Sequence, residues 1–323
     1  MAKCWKTALS AAFAAGGFFL LVLLPAEAAD GARSGLRVCG GVIVPSLFPF
    51  LVFSGLFSAL GLTGALANAA APVFRLVGIS AYACGPLLLG LLGGYPVGAS
   101  ALAALVRDGL ISPREAERLL PCCNNTGPAF IVGAAGSAVF GSASAGLGLF
   151  LCHVLSALTL LLLAGGSSDG SPAHRPAGNA AEGFSEAFPD CVRAAAVTCV
   201  HICGFVVFFS VLTALLTALG VFSALSGALA MHLGTELQFA RALLTGILEL
   251  GGGIAAMRGL PPTPQALSMC AFVLGFGGLS VHCQTLAVLS GTKIRCARHF
   301  VGRICHGALS ALYAFLLFTL LRI

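Results

Sequence analysis

The most polar uncharged cluster of the sequence, PCCNNTGPAF at 121–130, lies between long apolar stretches. Asn124, Asn125 and Thr126 supply amide donors, amide acceptors and a hydroxyl, and Gly127 with the proline after it fits a turn or a helix break. That proline also suits the first turn of a following helix, whose N-terminus would favour an anionic group. The cluster therefore predicts a binding site for a small solute. Simple helix capping is the alternative.

A second polar cluster, GFGGLSVHCQ at 275–284, holds the corresponding place in the other half of the chain. It combines glycine-rich backbone with the side chains of Ser280, His282 and Gln284. Capping and hydrogen bonds across a helix bundle explain one such cluster well. Two clusters at matching positions favour a shared binding site.

The stretch GGYPVG at 93–98 interrupts an apolar segment, and we expect Gly94, Tyr95, Pro96 and Gly98 to contribute to the site. Proline removes a backbone donor and clashes with the preceding helical turn, while glycine allows another chain to approach closely. Broken backbone at membrane depth must be buried in protein or line a wet cavity. A helix through this stretch is predicted to kink or break.

The equivalent stretch of the second half, ELGGG at 249–253, brings Glu249 together with Gly251 and Gly252. A carboxylate inside an apolar span is costly and marks a functional or paired group. Paired interruptions at corresponding positions of two halves point to a transporter's binding site. Close helix packing through small residues is the alternative for both stretches.

The elements that carry these residues are predicted to be membrane helices. The chain has 323 residues, is 58% hydrophobic and 9% charged, and has a mean hydropathy of +1.01, whereas about a quarter of a soluble domain is charged. Apolar runs that can cross a ~30 Å hydrocarbon core recur along it. They cover 8–24, 36–60, 82–106, 143–164, 192–219 and 299–322, with weaker candidates at 122–140, 237–258 and 266–290. The sequence predicts an all-α, polytopic helical membrane protein with glycine- and proline-broken helices and about eight to ten spans.

A polar segment, 165–190, divides the chain and is predicted to be a solvent-exposed linker. Residues 1–30 are predicted to form an N-terminal membrane span, although Ala26-Glu27-Ala28 also fits a signal-peptidase site. The two flanking regions, 36–164 and 191–323, are predicted to be internal repeats.

The repeat prediction depends on two pairs of similar stretches. FLVFS at 50–54 resembles VVFFS at 206–210, and LLLGLLGGYPVGASAL at 87–102 resembles ALLTGILELGGGIAAM at 242–257, with matching residues 156 positions apart in both pairs. Two stretches at one offset favour a duplication. Chance agreement in sequence of low diversity is the alternative, and the sequence leaves open whether the repeats are inverted.

Composition and spacing argue against several other functions. The net charge of +6 is not spread over any soluble domain, so no nucleic-acid partner is expected. The 13 cysteines form no CxxC pair, and no nucleophile–base pairing or metal-ligand spacing is visible. We therefore expect no enzyme activity, no metal and no cofactor.

The charged residues outside the clusters are predicted to be peripheral. The basic cluster Lys293, Arg295, Arg298 and Arg303 is predicted to lie in the cytoplasm and to bind anionic lipid head groups. The stretch RDGLISPREAERLL at 107–120 predicts an amphipathic helix at the membrane face with a structural or regulatory role. Five further histidines are scattered and predicted to be satisfied by neighbours, with His299 at the interface: His153, His201, His232, His299 and His306.

Several motifs together resemble a known family. The order of LLPAEAADGARSGLRVCGGVIVPSLFPF, GGYPVGA, PREAERLL, CNNTGPAFI and FGGLSVHCQ resembles the sporulation integral membrane proteins of the YlbJ type, in the nucleoside-recognition (Gate) domain group. The resemblance covers nearly the whole chain. It implies a transporter-like, multi-pass integral protein of the bacterial cell membrane in endospore formers.

The resemblance also implies a substrate. Proteins of this type are associated with moving dipicolinic acid from mother cell to forespore, so we expect transport of a small anionic solute. A nucleoside or ion transporter of the Gate group is one alternative, and a non-transporting scaffold or assembly factor of the spore envelope is another. The expected partners are the solute and membrane lipid, and homo-oligomerisation stays open.

Overall fold

The computed structural model describes residues 2–76, 78–164 and 183–321, and all regular structure within these ranges is helical. The predicted all-α class is confirmed. Most of the predicted linker, 165–182, lies outside the described residues. Its last part does not, because the next helix begins at Phe184 after Gly183 rather than at residue 191. The helix that opens the second half therefore includes the last residues of the predicted linker.

The first half begins with helix α1 (Ala2–Leu23), which is followed by α2 (Pro25–Val38), a π-helical turn (Cys39–Ile43), α3 (Val44–Ala59) and α4 (Leu62–Leu76). A 3₁₀ turn (Ala81–Ala83) leads into α5 (Cys84–Gly93), α6 (Val97–Arg107), α7 (Pro113–Cys123), a π-helical segment (Ala129–Val139) and α8 (Ala143–Leu163). The predicted boundary at residue 36 falls inside α2, so the helical run of the first half starts at Pro25.

The second half has a similar order of elements, without a described counterpart of α1. It contains α9 (Phe184–Ala218), α10 (Val221–Leu233), α11 (Leu237–Leu248), α12 (Leu250–Ala256), α13 (Pro264–Phe276), α14 (Gly278–Val288) and α15 (Ala297–Leu320). In each half a long helical run and a shorter helix precede two interrupted helix pairs and a final long helix.

Two long helical runs pack side by side and antiparallel. The run from α2 to α3 lies against α9, and the approach is so close that a Cβ atom at Gly31 would lie 2.8 Å from the Cα of Val211. Further along, a Cβ atom at Gly55 would lie 3.0 Å from the Sγ of Cys191. As the residue number rises along the run from α2 to α3, the residue number of the contact on α9 falls. The two runs therefore point in opposite directions.

The predicted helix breaks are present and have local causes. Gly94, with φ at +78°, separates α5 from α6 just before Pro96, and Gly277, with φ at +88°, separates α13 from α14. Glu249 has extended backbone between α11 and α12. Residues 124–128 separate α7 from the π-helical segment. Glycine adopts positive φ without the steric cost that a Cβ atom brings.

These breaks make the predicted number of spans too high. Four helical stretches in the described residues are long and apolar enough to cross a membrane, at Ala143–Leu163, Phe184–Ala218, Pro264–Val288 and Ala297–Leu320. The pair Thr7–Leu23 and Pro25–Ile43, which is bent by 102°, makes a fifth if it forms one span. The apolar runs at 82–106 and 237–258 each divide into two helices of 7–12 residues, which are too short to cross ~30 Å at 1.5 Å per residue.

Candidate functional site

The four predicted polar or glycine-broken stretches meet around one small cavity. Its volume is about 50 Å³, which is room for very few water molecules. Six of the predicted site residues line it: Tyr95, Thr126, Gly127, Glu249, Gly251 and Gln284. Its other walls are apolar and come partly from the antiparallel runs, through Ile43, Leu47, Ile202 and Val206.

Hydroxyl groups of the first half bind the broken helix of the second half. The Tyr95 hydroxyl donates to the carbonyl oxygen of Leu274 at 3.2 Å, and Thr126 Oγ1 donates to the same oxygen at 2.8 Å. This carbonyl lies in the last turn of α13, where the break at Gly277 leaves carbonyl groups without their usual helical donors. Asn124 adds a third bond between the halves, from Nδ2 to Thr285 Oγ1 at 2.9 Å.

Glycine at the first break serves close packing. A Cβ atom at Gly98 would overlap the carbonyl oxygen of Cys123, and a Cβ atom at Gly94 would lie 3.0 Å from the amide nitrogen of Gly127. The close approach of α6 to the end of α7 therefore requires glycine at position 98. Neither Gly94, Pro96 nor Gly98 lines the cavity, so these predicted site residues act by positioning Tyr95 and the loop at 124–128.

Glu249 caps its own helix. Its carboxylate accepts the amide of Gly251 at 2.8 Å and the amide of Gly252 at 2.5 Å, at the start of α12. A carboxylate that accepts two backbone amides satisfies orphan donors of the helix N-terminus. Although Glu249 is buried, it reaches both the cavity and an adjacent groove.

The cluster on α14 is only partly at the cavity. Gln284 lines it and donates from Nε2 to Ser280 Oγ at 3.3 Å. His282 is not among the lining residues, and its ring instead contacts Phe276 at 4.9 Å and His299 at 5.3 Å between centroids. Because His282 lies two positions from Ser280 and from Gln284, it projects from the far side of the helix.

An arginine that we placed in the peripheral basic cluster is buried among these stretches, although it does not line the cavity. Arg303 is fully buried in α15, and its Nη1 donates to Pro121 O at 3.1 Å and to Asn125 Oδ1 at 3.4 Å. Its Nη2 donates to the Tyr95 hydroxyl and to the carbonyl oxygen of Gly275. Among the described residues, no carboxylate lies within ion-pair distance of this guanidinium. The prediction that Arg303 is exposed in the cytoplasm is wrong.

Two pairs of histidines surround this arginine. The predictions that His153 and His306 are scattered and that His299 is interfacial are wrong, whereas the prediction that neighbours satisfy them is confirmed for His306 and, at Nε2, for His153. The rings of His153 and His306 are 4.4 Å apart, and His299, predicted at the interface, is buried beside His282. His306 Nδ1 lies 2.8 Å from Arg303 Nη1. Since a guanidinium only donates, His306 Nδ1 is the acceptor, and its Nε2 donates to His153 O at 3.2 Å. His306 is therefore a neutral ring.

The sequence does contain a signal for this buried cluster. His299, Arg303, His306 and Ser310 follow one another at spacings of four, three and four, which places them on one face of a helix. All four are buried in α15. Ser310 Oγ continues the stripe by donating to Ser156 Oγ of α8 at 3.0 Å.

Two hydroxyl-lined grooves flank the cavity along α9. The first, which we call the α2/α9 groove, has a volume of about 640 Å³ and includes Ser34, Ser210, Thr245 and Glu249 among its lining residues. The second, the α3/α9 groove, has a volume of about 430 Å³. It is lined by Ser54, Ser58, Ser100, Asp190 and Thr198, among others. The cavity lies between the two grooves, because its α9 residues, Ile202 and Val206, follow Thr198 and precede Ser210.

The two grooves use corresponding residues of the two halves. Each of the following pairs is 156 positions apart, with one member in each groove: Ser54 and Ser210, Ser58 and Ala214, Leu89 and Thr245, Ser100 and Ala256, Gly31 and Ala187, Ser34 and Asp190, Val38 and Ala194. This is the offset that the two similar pairs of sequence stretches share. In an inverted duplication, two corresponding residues lie on opposite sides of the molecule, as the members of each pair do here. The duplication itself stays a prediction.

Comparisons with known proteins identify the family. A nucleoside-recognition (Gate) family profile matches residues 41–161, which include the first break and the Asn-Asn-Thr cluster. The sporulation integral membrane protein YlbJ of Bacillus subtilis (strain 168) is 30% identical over 324 residues, covering 91% of this chain and 78% of that protein. No solved structure matches the chain. The chain therefore belongs to the YlbJ family of sporulation integral membrane proteins and is a multi-pass membrane protein with a Gate domain.

Proposed function

We propose that this protein transports a small anionic solute across the membrane through the central cavity. The proposal depends on the order of three openings along α9. The α3/α9 groove comes first, the central cavity follows, and the α2/α9 groove, which is lined by the corresponding residues of the other half, comes last. A binding site between two routes of access, at the interface of two repeats, is the general design of secondary transporters.

The length of the route fits a membrane. Asp190 lines one groove and Thr213 lines the other, and at 1.5 Å per residue they lie about 35 Å apart along α9. This distance is close to the ~30 Å of a hydrocarbon core. The two grooves therefore reach toward opposite membrane faces.

The cavity is too small in this conformation to hold the solute. Its volume of about 50 Å³ is well below the ~300–1,000 Å³ of sites that enclose drug-sized ligands. Transport requires it to enlarge toward one groove at a time. The short helices on either side of Gly94 and Glu249 are the elements whose movement would open it, because each break removes a helical constraint.

Arg303 supports the choice of an anionic solute. A buried cation without a carboxylate partner is costly, and an anion bound nearby reduces that cost through charge-assisted hydrogen bonds. Tyr95 connects Arg303 to the cavity, since its hydroxyl accepts a hydrogen bond from Arg303 and its side chain lines the cavity. An aromatic dicarboxylate such as dipicolinic acid fits this chemistry. The family membership supports that choice, because the Bacillus subtilis relative is a sporulation protein.

A non-transporting scaffold is the second candidate. The small cavity and the hydrogen bonds that join Tyr95 and Thr126 to Leu274 favour it, because they satisfy polar groups within the protein. The two candidates differ in one measurable respect. Only a transporter moves solute across a sealed membrane.

Uptake of radiolabelled dipicolinate into proteoliposomes that contain the full chain tests the proposal. We expect uptake above that of empty liposomes, competition by unlabelled dicarboxylate and no competition by a nucleoside. Arg303→Gln should lower uptake about ten- to a hundredfold, the loss of one charge-assisted interaction. Arg258→Gln, an exposed arginine that lines neither the cavity nor a groove, serves as the control for reconstitution.

Two results would overturn the proposal. Absence of uptake by the wild-type chain, when the protein is folded and inserted, would support the scaffold. Uptake that Asn125→Ala, Glu249→Gln and Arg303→Gln all leave unchanged would place the route elsewhere in the molecule.

A further inference from the structure

A basic pocket lies at one end of the helix bundle, where α7 and α15 begin. Its volume is about 510 Å³, and its lining residues are Arg114, Glu117, Arg118, Arg295, Ala297 and Arg298. Four guanidinium groups and one carboxylate give the pocket a net charge of +3. The arginines come from two regions that are far apart in the sequence, so the fold assembles this charge.

The single carboxylate is already occupied. Glu117 Oε1 accepts the backbone amide of Arg295 at 3.0 Å and the Nε of the same residue at 3.2 Å. Glu117 is buried and ties the loop before α15 to α7. Arg114, Arg118 and Arg298 form no ion pair with any described residue. Their charge is therefore free to bind an external anion.

The apolar surface next to the pocket shows what kind of anion it would meet. Val301 and Ile304 lie four and seven positions after Ala297 on the same face of α15, and their side chains are 60% and 43% exposed. Large apolar side chains on the outside of a membrane helix face acyl chains. The arginines one turn earlier therefore lie at the level of the lipid head groups.

We propose that this pocket binds the phosphate head group of an anionic phospholipid, with the acyl chains lying along Val301 and Ile304. Guanidinium groups bind phosphate oxygens through paired hydrogen bonds, and Arg114 and Arg118 present theirs from one face of α7, four positions apart. A soluble phosphate would use the charge but not the adjacent apolar surface. The lipid uses both.

A lipid bound in this pocket would also link α7 to α15. The helix α7 ends at the Asn-Asn-Thr loop, and α15 carries Arg303 about one turn beyond Arg298. A phosphate held between Arg114 or Arg118 and Arg298 bridges the starts of these two helices. The lipid therefore holds together the two helices that position the buried arginine.

The test uses the full chain in detergent, with native mass spectrometry and a titration of defined lipids. Phosphatidylglycerol should bind more tightly than phosphatidylcholine, whereas inorganic phosphate and glycerol phosphate should not compete at equal concentration. The variant Arg114→Gln/Arg118→Gln/Arg298→Gln should bind phosphatidylglycerol about a hundredfold more weakly, since each basic residue near a membrane surface contributes about a factor of five. The matched control, Arg37→Gln/Arg241→Gln/Arg258→Gln, removes three exposed arginines elsewhere and should bind normally.

Three results would contradict the proposal. Equal binding of phosphatidylglycerol and phosphatidylcholine removes the role of charge, and competition by inorganic phosphate makes the ligand a soluble phosphate. An equal loss in the control variant shows only a general surface attraction. If the triple variant does not fold, Arg298→Gln alone should weaken binding about fivefold, and unchanged affinity then refutes the site.

Discussion

The hydrogen bonds on the Leu274 carbonyl predict a specific energetic coupling between the two halves. This oxygen accepts from the Tyr95 hydroxyl at 3.2 Å and from Thr126 Oγ1 at 2.8 Å. In Thr126→Val, Tyr95 still binds the carbonyl, so the loss is that of one neutral hydrogen bond, about 1 kcal/mol in the free energy of unfolding. In Tyr95→Phe, the guanidinium of Arg303 also loses an acceptor, so we expect about 2 kcal/mol.

The double variant should cost more than the sum of the two. It leaves a buried carbonyl oxygen with neither hydroxyl donor, and an unsatisfied buried acceptor costs about 1–3 kcal/mol. We therefore expect a coupling energy of about 1–2 kcal/mol beyond additivity. The assay is equilibrium unfolding of the full chain in mixed micelles with increasing denaturing detergent, followed by circular dichroism for the wild type, both single variants and the double variant.

The control pair is Thr126→Val with Tyr82→Phe, whose hydroxyl groups share no acceptor, and these changes should be additive. Additivity within about 0.5 kcal/mol for Tyr95→Phe with Thr126→Val would refute the reasoning. It would mean that the first break and the Asn-Asn-Thr cluster do not jointly hold the broken helix of the second half.

Three further predictions concern the breaks and the grooves. Gly98→Ala should destabilise the fold by about 3 kcal/mol or more, because its Cβ atom would overlap the Cys123 carbonyl, whereas Gly40→Ala, where the space is open, should be neutral in the same unfolding assay. Glu249→Ala should cost about 1–2 kcal/mol through loss of the α12 cap, and Glu249→Gln, which keeps one acceptor oxygen, should cost less; equal losses would show that the cap is not the reason. A membrane-impermeant maleimide should modify Ser54→Cys and Ser210→Cys from opposite sides of sealed vesicles. Both variants are made in a background in which Cys191, which lines the same groove as Ser54, is replaced. Labelling of both positions from one side would contradict the proposed route.

The sequence was sufficient to predict the helix breaks, because their cause is local. The positive φ of Gly94 and the extended backbone of Glu249 both fall inside stretches that were expected to break. Residues of the four stretches line one cavity, a proximity that we expected from their corresponding positions in the two halves. That this cavity is a binding site stays a prediction. The number of spans was predicted less well. The mean hydropathy of a stretch stays high when a local break divides it into two short helices, so such a stretch was counted as one crossing.

The buried arginine was missed for a different reason. Arg303 was grouped with Lys293 and Arg298 by proximity in the sequence, which is a suitable rule for a loop. Inside a helix the relevant neighbours are those three, four or seven positions away, and these are His299, His306 and Ser310. Only the tertiary structure adds Tyr95, because a contact across 208 positions has no local sequence signal.

The two grooves correspond in position but differ in charge, and this difference has a consequence for transport. The position that corresponds to Glu249, 156 residues earlier, is Gly93, which has no side chain to carry a charge. The α2/α9 groove contains Glu27, Asp30 and Glu249, whereas Asp190 is the acidic residue among those that line the α3/α9 groove. If the two halves arose by an inverted duplication, as we predict, these acidic residues have diverged between them. Because like charges repel, an anionic solute meets a higher barrier in the α2/α9 groove, and the proposed transport should be faster from the α3/α9 side at low salt than from the opposite side.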